Sequence, residues 1–306
     1  MSGEQQIGNS RKQMQSRRIV PVLLLLMGGC QAFSYAALYA QRDEDPSPHS
    51  EAVLISEVPS VRPGEAFDVG LKITLDPGWH SYWLNPGDAG QPAGIEWNIP
   101  AGYRVSDLRW PFPHKVEDSS VVSYGYHDEV MLLATITPPR FVSIGQTVEF
   151  AAVAHWLVCN NICLPATASL DFEIQIRERT ALPNQRWRDY FEETRRNLPK
   201  LANDWDIAAS RDADGFLLRI VPERSPPNAL EGAFFFVSER GVLEHGAPQR
   251  IVYDDETVSI SLVRSPYARG EPERLTGVLV MPDLVQLESG TTRAVSIDVP
   301  VSDVPL

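Results

Sequence analysis

The feature that most constrains this fold is a series of short runs, from Ala52 onward, in which hydrophobic and polar residues alternate or β-branched residues dominate. Proline, glycine and aspartate interrupt these runs at short intervals. Four examples in the first half of the chain are residues 67–75, 130–136, 147–155 and 168–176. Such a pattern is typical of antiparallel sheets packed in two layers. The sequence therefore predicts an all-β fold of the β-sandwich type.

One segment, residues 184–197, breaks this pattern and predicts a helix. Asn184 can cap its start, Pro199 follows its end, and aromatic or aliphatic residues recur at helical spacing at Trp187, Tyr190, Phe191 and Leu198. A second series of β runs follows at residues 207–210, 216–221, 233–237, 257–263, 275–280 and 294–299. We therefore expect two β-sandwich domains, residues 52–180 and 204–306, joined by a helical linker at residues 181–203.

The N-terminus predicts export. An apolar run at residues 19–29 is too short to span a bilayer comfortably, and it follows four basic residues, Arg11, Lys12, Arg17 and Arg18. Two processing routes remain open. Ordinary cleavage after Ala36 would remove residues 1–36 as a signal peptide, whereas residues 27–30 resemble a lipoprotein box that would leave Cys30 acylated. Both routes predict an exported protein, soluble or lipid-anchored through Cys30, with residues 37–51 as a flexible tail.

The charge and hydropathy of the mature chain narrow its partners. The formal net charge is −13 at pH 7, and loss of the basic leader makes it more negative. Nucleic acid is therefore not an expected partner. No further stretch of about 18 apolar residues follows the leader, so we expect no transmembrane helix in the mature chain.

Cys159 and Cys163 are the two cysteines outside the leader, and only three residues separate them. On a tight hairpin they can approach closely enough for a disulfide. A bridge across so small a loop removes little chain entropy, about 2 kcal/mol in the loop-closure account, so it would be a weak structural staple. A redox-active pair is the favoured interpretation, and a plain structural disulfide remains open. Zinc is disfavoured because a structural site normally takes four Cys or His ligands.

Two histidines need separate interpretations. His155 lies four residues before Cys159 in the same apolar run, so in a strand it shares a face with Val153 and Leu157 and is a candidate for thiolate tuning. A histidine at the edge of the core is the alternative. His245, beside Gly246 in the second series of runs, is expected to be a solvated loop residue.

Several motifs in fixed order resemble the periplasmic N-terminal region of the DsbD and ScsB thiol:disulfide interchange proteins. They are the aromatic and turn-rich segment 76–92, then Trp110-Pro111-Phe112-Pro113, then Tyr124-Gly125-Tyr126, and finally residues 156–165 around the cysteine pair. The resemblance is strongest over residues 52–176. A second sandwich after this region is similar to the tandem arrangement of the ScsB branch.

The resemblance implies an immunoglobulin-like fold and a redox relay. In the family, the pair matched by Cys159 and Cys163 accepts electrons from a membrane thiol–disulfide donor of the DsbD, ScsB or CcdA-like kind. It passes them to periplasmic thioredoxin-fold proteins. This sequence contains no quinone, flavin or nicotinamide motif, so we expect no cofactor. The family's membrane domain and C-terminal thioredoxin domain have no counterpart in this sequence, so we expect the chain to act as one separate link. The shorter loop between the cysteines also departs from the DsbD branch.

The resemblance further implies an aromatic cap over the cysteines. Tyr124 and Tyr126 occupy the place of the family's cap loop, while the capping phenylalanine falls near Ser123. Ordinary strand residues are the alternative interpretation for both tyrosines. The alternative for the whole protein is a non-enzymatic binding or assembly module that uses the disulfide as a staple.

Overall fold

The computed structural model describes residues 49–118, 121–254 and 256–304. By its internal contacts the chain divides into two units, Met1–Asp43 and Glu44–Leu306, and all described residues belong to the second. The predicted signal peptide, Cys30 and the tail up to residue 48 lie outside the described residues. Within the part described, no helix is long and apolar enough to cross a membrane.

The first half of the described chain is built from strands. They are β1 (Ser50–Ser56), β2 (Ser60–Val61), β3 (Phe67–Leu75), β4 (His80–Gly87), β5 (Gly94–Asn98), β6 (Arg104–Val105), β7 (His114–Asp118), β8 (Val121–His127), β9 (Glu129–Thr137), β10 (Thr147–Cys159) and β11 (Cys163–Ile176). The first strand begins at Ser50, two residues before the expected start of the domain. We call this part the N-terminal sandwich.

Two sheets face each other in the N-terminal sandwich. One has the order β1-β3-β9-β6, and the other has the order β2-β11-β10-β4-β8-β7, with β5 also paired to β10. Alternate residues of β10 point inward and are buried, as the period-two pattern predicts. Its large inward side chains include Phe150 and Trp156. The position of β10 inside its sheet sets where its last residue, Cys159, is held.

One helix, α1 (Arg188–Asn197), follows the N-terminal sandwich. It begins four residues later than the sequence suggests, because Asn184 caps a preceding turn: its side-chain oxygen accepts a hydrogen bond from the backbone N–H of Arg186. The buried Phe191 packs against Ile55, Met131 and Leu133 on the outer face of the first sheet. The helix is therefore packed on the N-terminal sandwich.

The second half of the described chain is also almost entirely β. Its strands are β12 (Lys200–Leu201), β13 (Asp206–Arg211), β14 (Gly215–Val221), β15 (Phe234–Val237), β16 (Arg250–Tyr253), β17 (Val258–Val263), β18 (Arg274–Leu287) and β19 (Gly290–Ser302), with a 3₁₀ turn at Pro227–Leu230. They follow the order β15-β18-β19-β13-β14-β17-β16, and β12 pairs with β19. We call this part the C-terminal sandwich. The expected all-β, sandwich-type fold is confirmed.

The core continues from one sandwich into the other. Trp83 of β4 meets the ring of Phe236 edge-on at 6.3 Å between centroids, and Tyr124 of β8 meets the same ring at 4.9 Å. These buried rings belong to one continuous apolar cluster that includes residues of both sandwiches. Because aromatic side chains bury large areas, this contact holds β4 and β8 firmly against the C-terminal sandwich.

Candidate functional site

The two cysteines close the hairpin between β10 and β11. Cys159 is the last residue of β10 and Cys163 the first of β11, and they are direct cross-strand partners. Their sulfurs form a disulfide, with the Cα atoms 4.2 Å apart. The backbone N–H of Asn160 donates to the carbonyl of Ile162 across the three-residue turn. The hairpin pairing thus brings the sulfurs together without help from distant parts of the chain.

The two cysteines differ in their exposure to solvent. Cys159 is only 1% exposed, whereas Cys163 is exposed. Cys159 lies between β11 and β4, because it also pairs in register with His80. Cys163 lies at the hairpin tip beside Ile162, which is 61% exposed. Of the two sulfur-bearing residues, Cys163 is the one a protein partner can approach.

Tyr82 contacts the disulfide. Its hydroxyl oxygen lies 3.5 Å from Sγ of Cys163, although the side chain is only 3% exposed. Burial raises the pKa of the Tyr82 hydroxyl above its ordinary value, so the group stays protonated at neutral pH. A protonated phenol can donate a hydrogen bond to sulfur, and a thiolate accepts such a bond more strongly than a thiol does.

Gly90 covers the ring of Tyr82. A Cβ atom at Gly90 would lie 2.3 Å from Cε1 of Tyr82, so the glycine backbone lies directly on the ring. Gly90 also has φ +107°, a conformation that side-chain-bearing residues rarely adopt. Both the close approach and the backbone angle explain why glycine occupies this position.

His80 is the histidine nearest to the cysteines in the sheet. It is buried and is the cross-strand partner of Cys159, so the two side chains are neighbours on one face. Its ring lies 5.2 Å from that of Tyr82 and 6.0 Å from that of His127. Neither His80 nor Tyr82 was expected at the site from the sequence. Both lie in the aromatic segment from Trp79 to Trp83, which was the available signal.

His155, the candidate for thiolate tuning, lies farther away. It is exposed on the same face of β10 as Cys159, about 13 Å along the strand at ~3.3 Å per residue. Its ring lies over Gly94, where a Cβ would come within 2.2 Å of Nε2. At this distance the imidazole does not contact the disulfide. Any influence of His155 on a thiolate would therefore act through space.

Tyr124 and Tyr126, the candidate cap, occupy the opposite face of the sheet from the disulfide. Tyr126 pairs with Ser81, whereas the neighbours of Cys159 on its own face are His80 and then His127. The Tyr126 hydroxyl donates to the carbonyl of Pro111 at 2.7 Å. The structure thus places Tyr82, rather than Tyr124 or Tyr126, in contact with the cysteine pair.

His245 is buried, which corrects the expectation of a solvated loop residue. It is 6% exposed, and its Nδ1 lies 3.0 Å from the hydroxyl oxygen of Tyr124. Burial lowers the pKa of His245 below the ordinary value, although the carboxylates of Asp88 and Glu244 act in the opposite direction. A single sequence does not reveal this contact because the two residues are 121 positions apart.

No group of three or more His, Cys, Asp or Glu side chains suited to a metal ion occurs among residues 49–118, 121–254 and 256–304. His80 and His127 approach each other beside Cys159 without forming such a group within these described ranges.

The chain is similar to one known protein family and to solved structures. Residues 50–173 match the family described as thiol:disulfide interchange protein DsbD, N-terminal. The crystal structure of the N-terminal periplasmic domain of ScsB from Proteus mirabilis is similar, with a TM-score of 0.56 and 17% identity over 85% of this chain and 96% of that chain. The reduced N-terminal domain of Neisseria meningitidis DsbD matches with a TM-score of 0.26 and 14% identity over 44% of this chain and 90% of that chain. Curated protein sequences contain no match to this chain.

The family match and the ScsB likeness confirm the resemblance to the DsbD and ScsB N-terminal regions. The family match covers both cysteines, and the ScsB likeness shows the fold of most of the chain. Together with the Cys159–Cys163 disulfide, they support a thiol–disulfide interchange domain in this part of the protein.

Proposed function

We propose that this protein relays reducing equivalents by thiol–disulfide exchange through Cys159 and Cys163. The donor is a membrane thiol–disulfide protein of the DsbD, ScsB or CcdA-like kind, and the acceptors are periplasmic thioredoxin-fold proteins. The observation that carries this proposal is the asymmetry of the pair, in which Cys163 is exposed at a hairpin tip and Cys159 is buried behind it. An exchange site needs one accessible sulfur and one protected sulfur that resolves the intermediate.

Reduction of the Cys159–Cys163 disulfide by the donor takes two steps. A donor thiolate attacks Sγ of Cys163, the Cys159–Cys163 bond breaks, and Cys159 leaves with the electron pair and takes a proton. The second donor thiolate then attacks its own partner sulfur in the mixed disulfide, which releases Cys163. The pair has gained two electrons and two protons, and the donor has become a disulfide.

Transfer to the acceptor runs in the opposite direction. The thiolate of Cys163 attacks an acceptor disulfide and forms a mixed disulfide, and the thiolate of Cys159 then attacks Sγ of Cys163. The acceptor leaves reduced, and the Cys159–Cys163 bond forms again. The hydroxyl of Tyr82, 3.5 Å from Sγ of Cys163, stabilises the attacking thiolate.

The tip of the hairpin supplies the docking surface. Ile162 is 61% exposed, and Leu164 beside Cys163 is partly exposed. Apolar side chains around an accessible sulfur suit the surface that a thioredoxin-fold protein presents around its own cysteines. The acidic composition of the chain disfavours nucleic acid as a partner.

The arrangement of the chain around this site is part of the proposal. Residues 52–180 form the redox domain, residues 181–203 the linker and residues 204–306 the second domain. Residues 1–36 direct export to the periplasm, where the protein is soluble or held by a lipid on Cys30, with residues 37–51 as the tail.

Trapping of the mixed disulfide tests this function. In Cys159→Ser the exposed Cys163 can attack a partner and no resolving thiol remains, so a covalent adduct should accumulate in the periplasm and disappear when a reductant is added. Cys163→Ser is the matched control and should trap far less, because its remaining sulfur is buried. Absence of an adduct from both variants, together with a reduction potential below about −300 mV, would instead favour a structural staple in a binding module.

A further inference from the structure

We propose that the C-terminal sandwich positions the loop that covers the redox site and so controls the reactivity of Cys163. The loop is formed by residues 85–93, which are the last three residues of β4 and the connection from β4 to β5, and we call it the cover loop. The inference rests on the proposed function, because it assigns a role in that chemistry to the half of the protein that carries no cysteine. It depends on three successive contacts.

The first contact lies between the cover loop and the site. The backbone of Gly90 packs directly on the ring of Tyr82, and the hydroxyl of Tyr82 lies 3.5 Å from Sγ of Cys163. Tyr82 is therefore enclosed between the loop and the sulfur. Movement of the loop away from the sheet would release the ring and leave the already exposed Cys163 more accessible.

The second contact ties the start of the cover loop to the C-terminal sandwich. The side-chain amide of Asn85 donates to the carbonyl of Val237 at 2.8 Å and to the carbonyl of Glu239 at 3.2 Å. Its oxygen accepts the N–H of Gly87 at 3.1 Å, so the same side chain also shapes the turn. Asn85 is fully buried, and its bond to the carbonyl of Val237 is therefore shielded from competing water.

The third contact ties down the middle of the loop. The guanidinium of Arg240 donates to the carbonyl of Gly90 at 3.1 Å, at the residue that lies on Tyr82. Val237, Glu239 and Arg240 belong to one short segment at the end of β15. This segment thus holds the cover loop at two points. The second point is Gly90, whose backbone packs directly on the ring of Tyr82.

The chemical consequence concerns access and acidity at one sulfur. With the loop in place, Tyr82 shields the reduced pair and its hydroxyl stabilises the thiolate of Cys163. With the loop released, the sulfur becomes more accessible and loses a hydrogen-bond donor, so its thiol pKa rises. A partner that binds near residues 237–240 could therefore change the reactivity of Cys163 without touching it.

Arg240→Ala tests the proposal in the full-length protein, because Arg240 is exposed and its loss leaves the core intact. At a pH where the thiols are fully ionised, we expect the reduced pair of this variant to react with iodoacetamide about two- to ten-fold faster than that of the wild type. This is the range expected for loss of one hydrogen bond that holds the loop. The pH at which the alkylation rate is half-maximal should rise. Arg240→Lys keeps one donor and should restore much of the wild-type behaviour.

Two further variants make the result decisive. Arg274→Ala should leave the alkylation rate and its pH dependence unchanged. It removes an exposed arginine that also donates to a backbone carbonyl, but one within the C-terminal sandwich. Gly90→Ala forces the loop off the ring and should accelerate alkylation whatever holds the loop. If Arg240→Ala behaves like Arg274→Ala, or if Gly90→Ala leaves the rate unchanged, the proposal is wrong. Alkylation requires no partner protein, so failure here is distinct from failure to trap a mixed disulfide.

Discussion

The hydroxyl of Tyr82 lies 3.5 Å from Sγ of Cys163, and this contact links a buried phenol to the accessible sulfur of the pair. Because burial keeps the phenol protonated, it is a hydrogen-bond donor when Cys163 becomes a thiolate. The contact therefore favours the reactive form of the cysteine and covers it at the same time.

Tyr82→Phe should raise the thiol pKa of Cys163 by about one unit, because the ring still covers the sulfur and only the donor is lost. The measurement is the pH dependence of iodoacetamide alkylation of the reduced protein. Tyr126→Phe is the matched control, since its hydroxyl bonds the carbonyl of Pro111 on the other face of the sheet. Equal pH profiles for Tyr82→Phe and the wild type would show that the Tyr82 hydroxyl does not affect the thiol pKa of Cys163.

Ile162→Ser should slow exchange with a thioredoxin-fold partner several-fold and leave reduction by dithiothreitol unchanged. The reason is that Ile162, 61% exposed beside Cys163, supplies apolar contact area to a protein partner and none to a small dithiol. Phe141→Ser, at a 98% exposed position near the opposite end of β10, should affect neither rate. A parallel loss in both assays would mean that Ile162 acts on the disulfide and not on docking.

His245 should make the protein less stable in mild acid. Its pKa in the folded state is lowered, mainly by burial, so below about pH 6.5 the unfolded chain binds more protons than the folded one and unfolding becomes easier. Urea unfolding between pH 7.5 and pH 5 should show a smaller loss of stability in His245→Gln than in the wild type. The difference between the two proteins isolates this group from His114, whose pKa burial also lowers. Identical pH dependences would show that His245 titrates normally.

Tyr124→Ala should lower the free energy of unfolding by about 3–5 kcal/mol, because it removes a fully buried ring from the contact with Phe236 and His245. Urea unfolding at pH 7.5 measures this loss.

The same variant tests the cap role that the sequence suggested for Tyr124 and Tyr126. If the folded Tyr124→Ala protein shows the same increase in the alkylation rate of the reduced thiols as Tyr82→Ala, the cap role is supported. If only Tyr82→Ala increases this rate, the side chain that shields the thiols is Tyr82.

The all-β architecture and the cysteine pair could be predicted from the sequence because both depend on local pattern. Alternation along residues 147–155 reports the two faces of a strand, and three residues between Cys159 and Cys163 allow a hairpin to close. The helix was also evident from spacing, although its start at Arg188 was not, since Asn184 caps a turn instead.

The neighbours of the pair were harder to predict. Tyr82 and His80 lie about 80 residues from the cysteines, and the pairing of β4 with β10 brings them there. From the sequence alone, aromatic residues at these positions are equally consistent with a role in the core and a role at the site. His155, by contrast, is close in sequence and remote in space because each strand residue adds about 3.3 Å.

The sequence by itself determined the type of fold, the hairpin and the presence of two closely spaced thiols, since these follow from short-range periodicity and spacing. Only the tertiary structure decided which sulfur is exposed, which tyrosine contacts it and that His245 and Asn85 join the two sandwiches. Those features depend on strand order, on which face of a sheet each residue occupies and on contacts between residues 121 and 152 positions apart. Local propensities carry no information about such contacts, because they arise only when the packed core brings distant strands together.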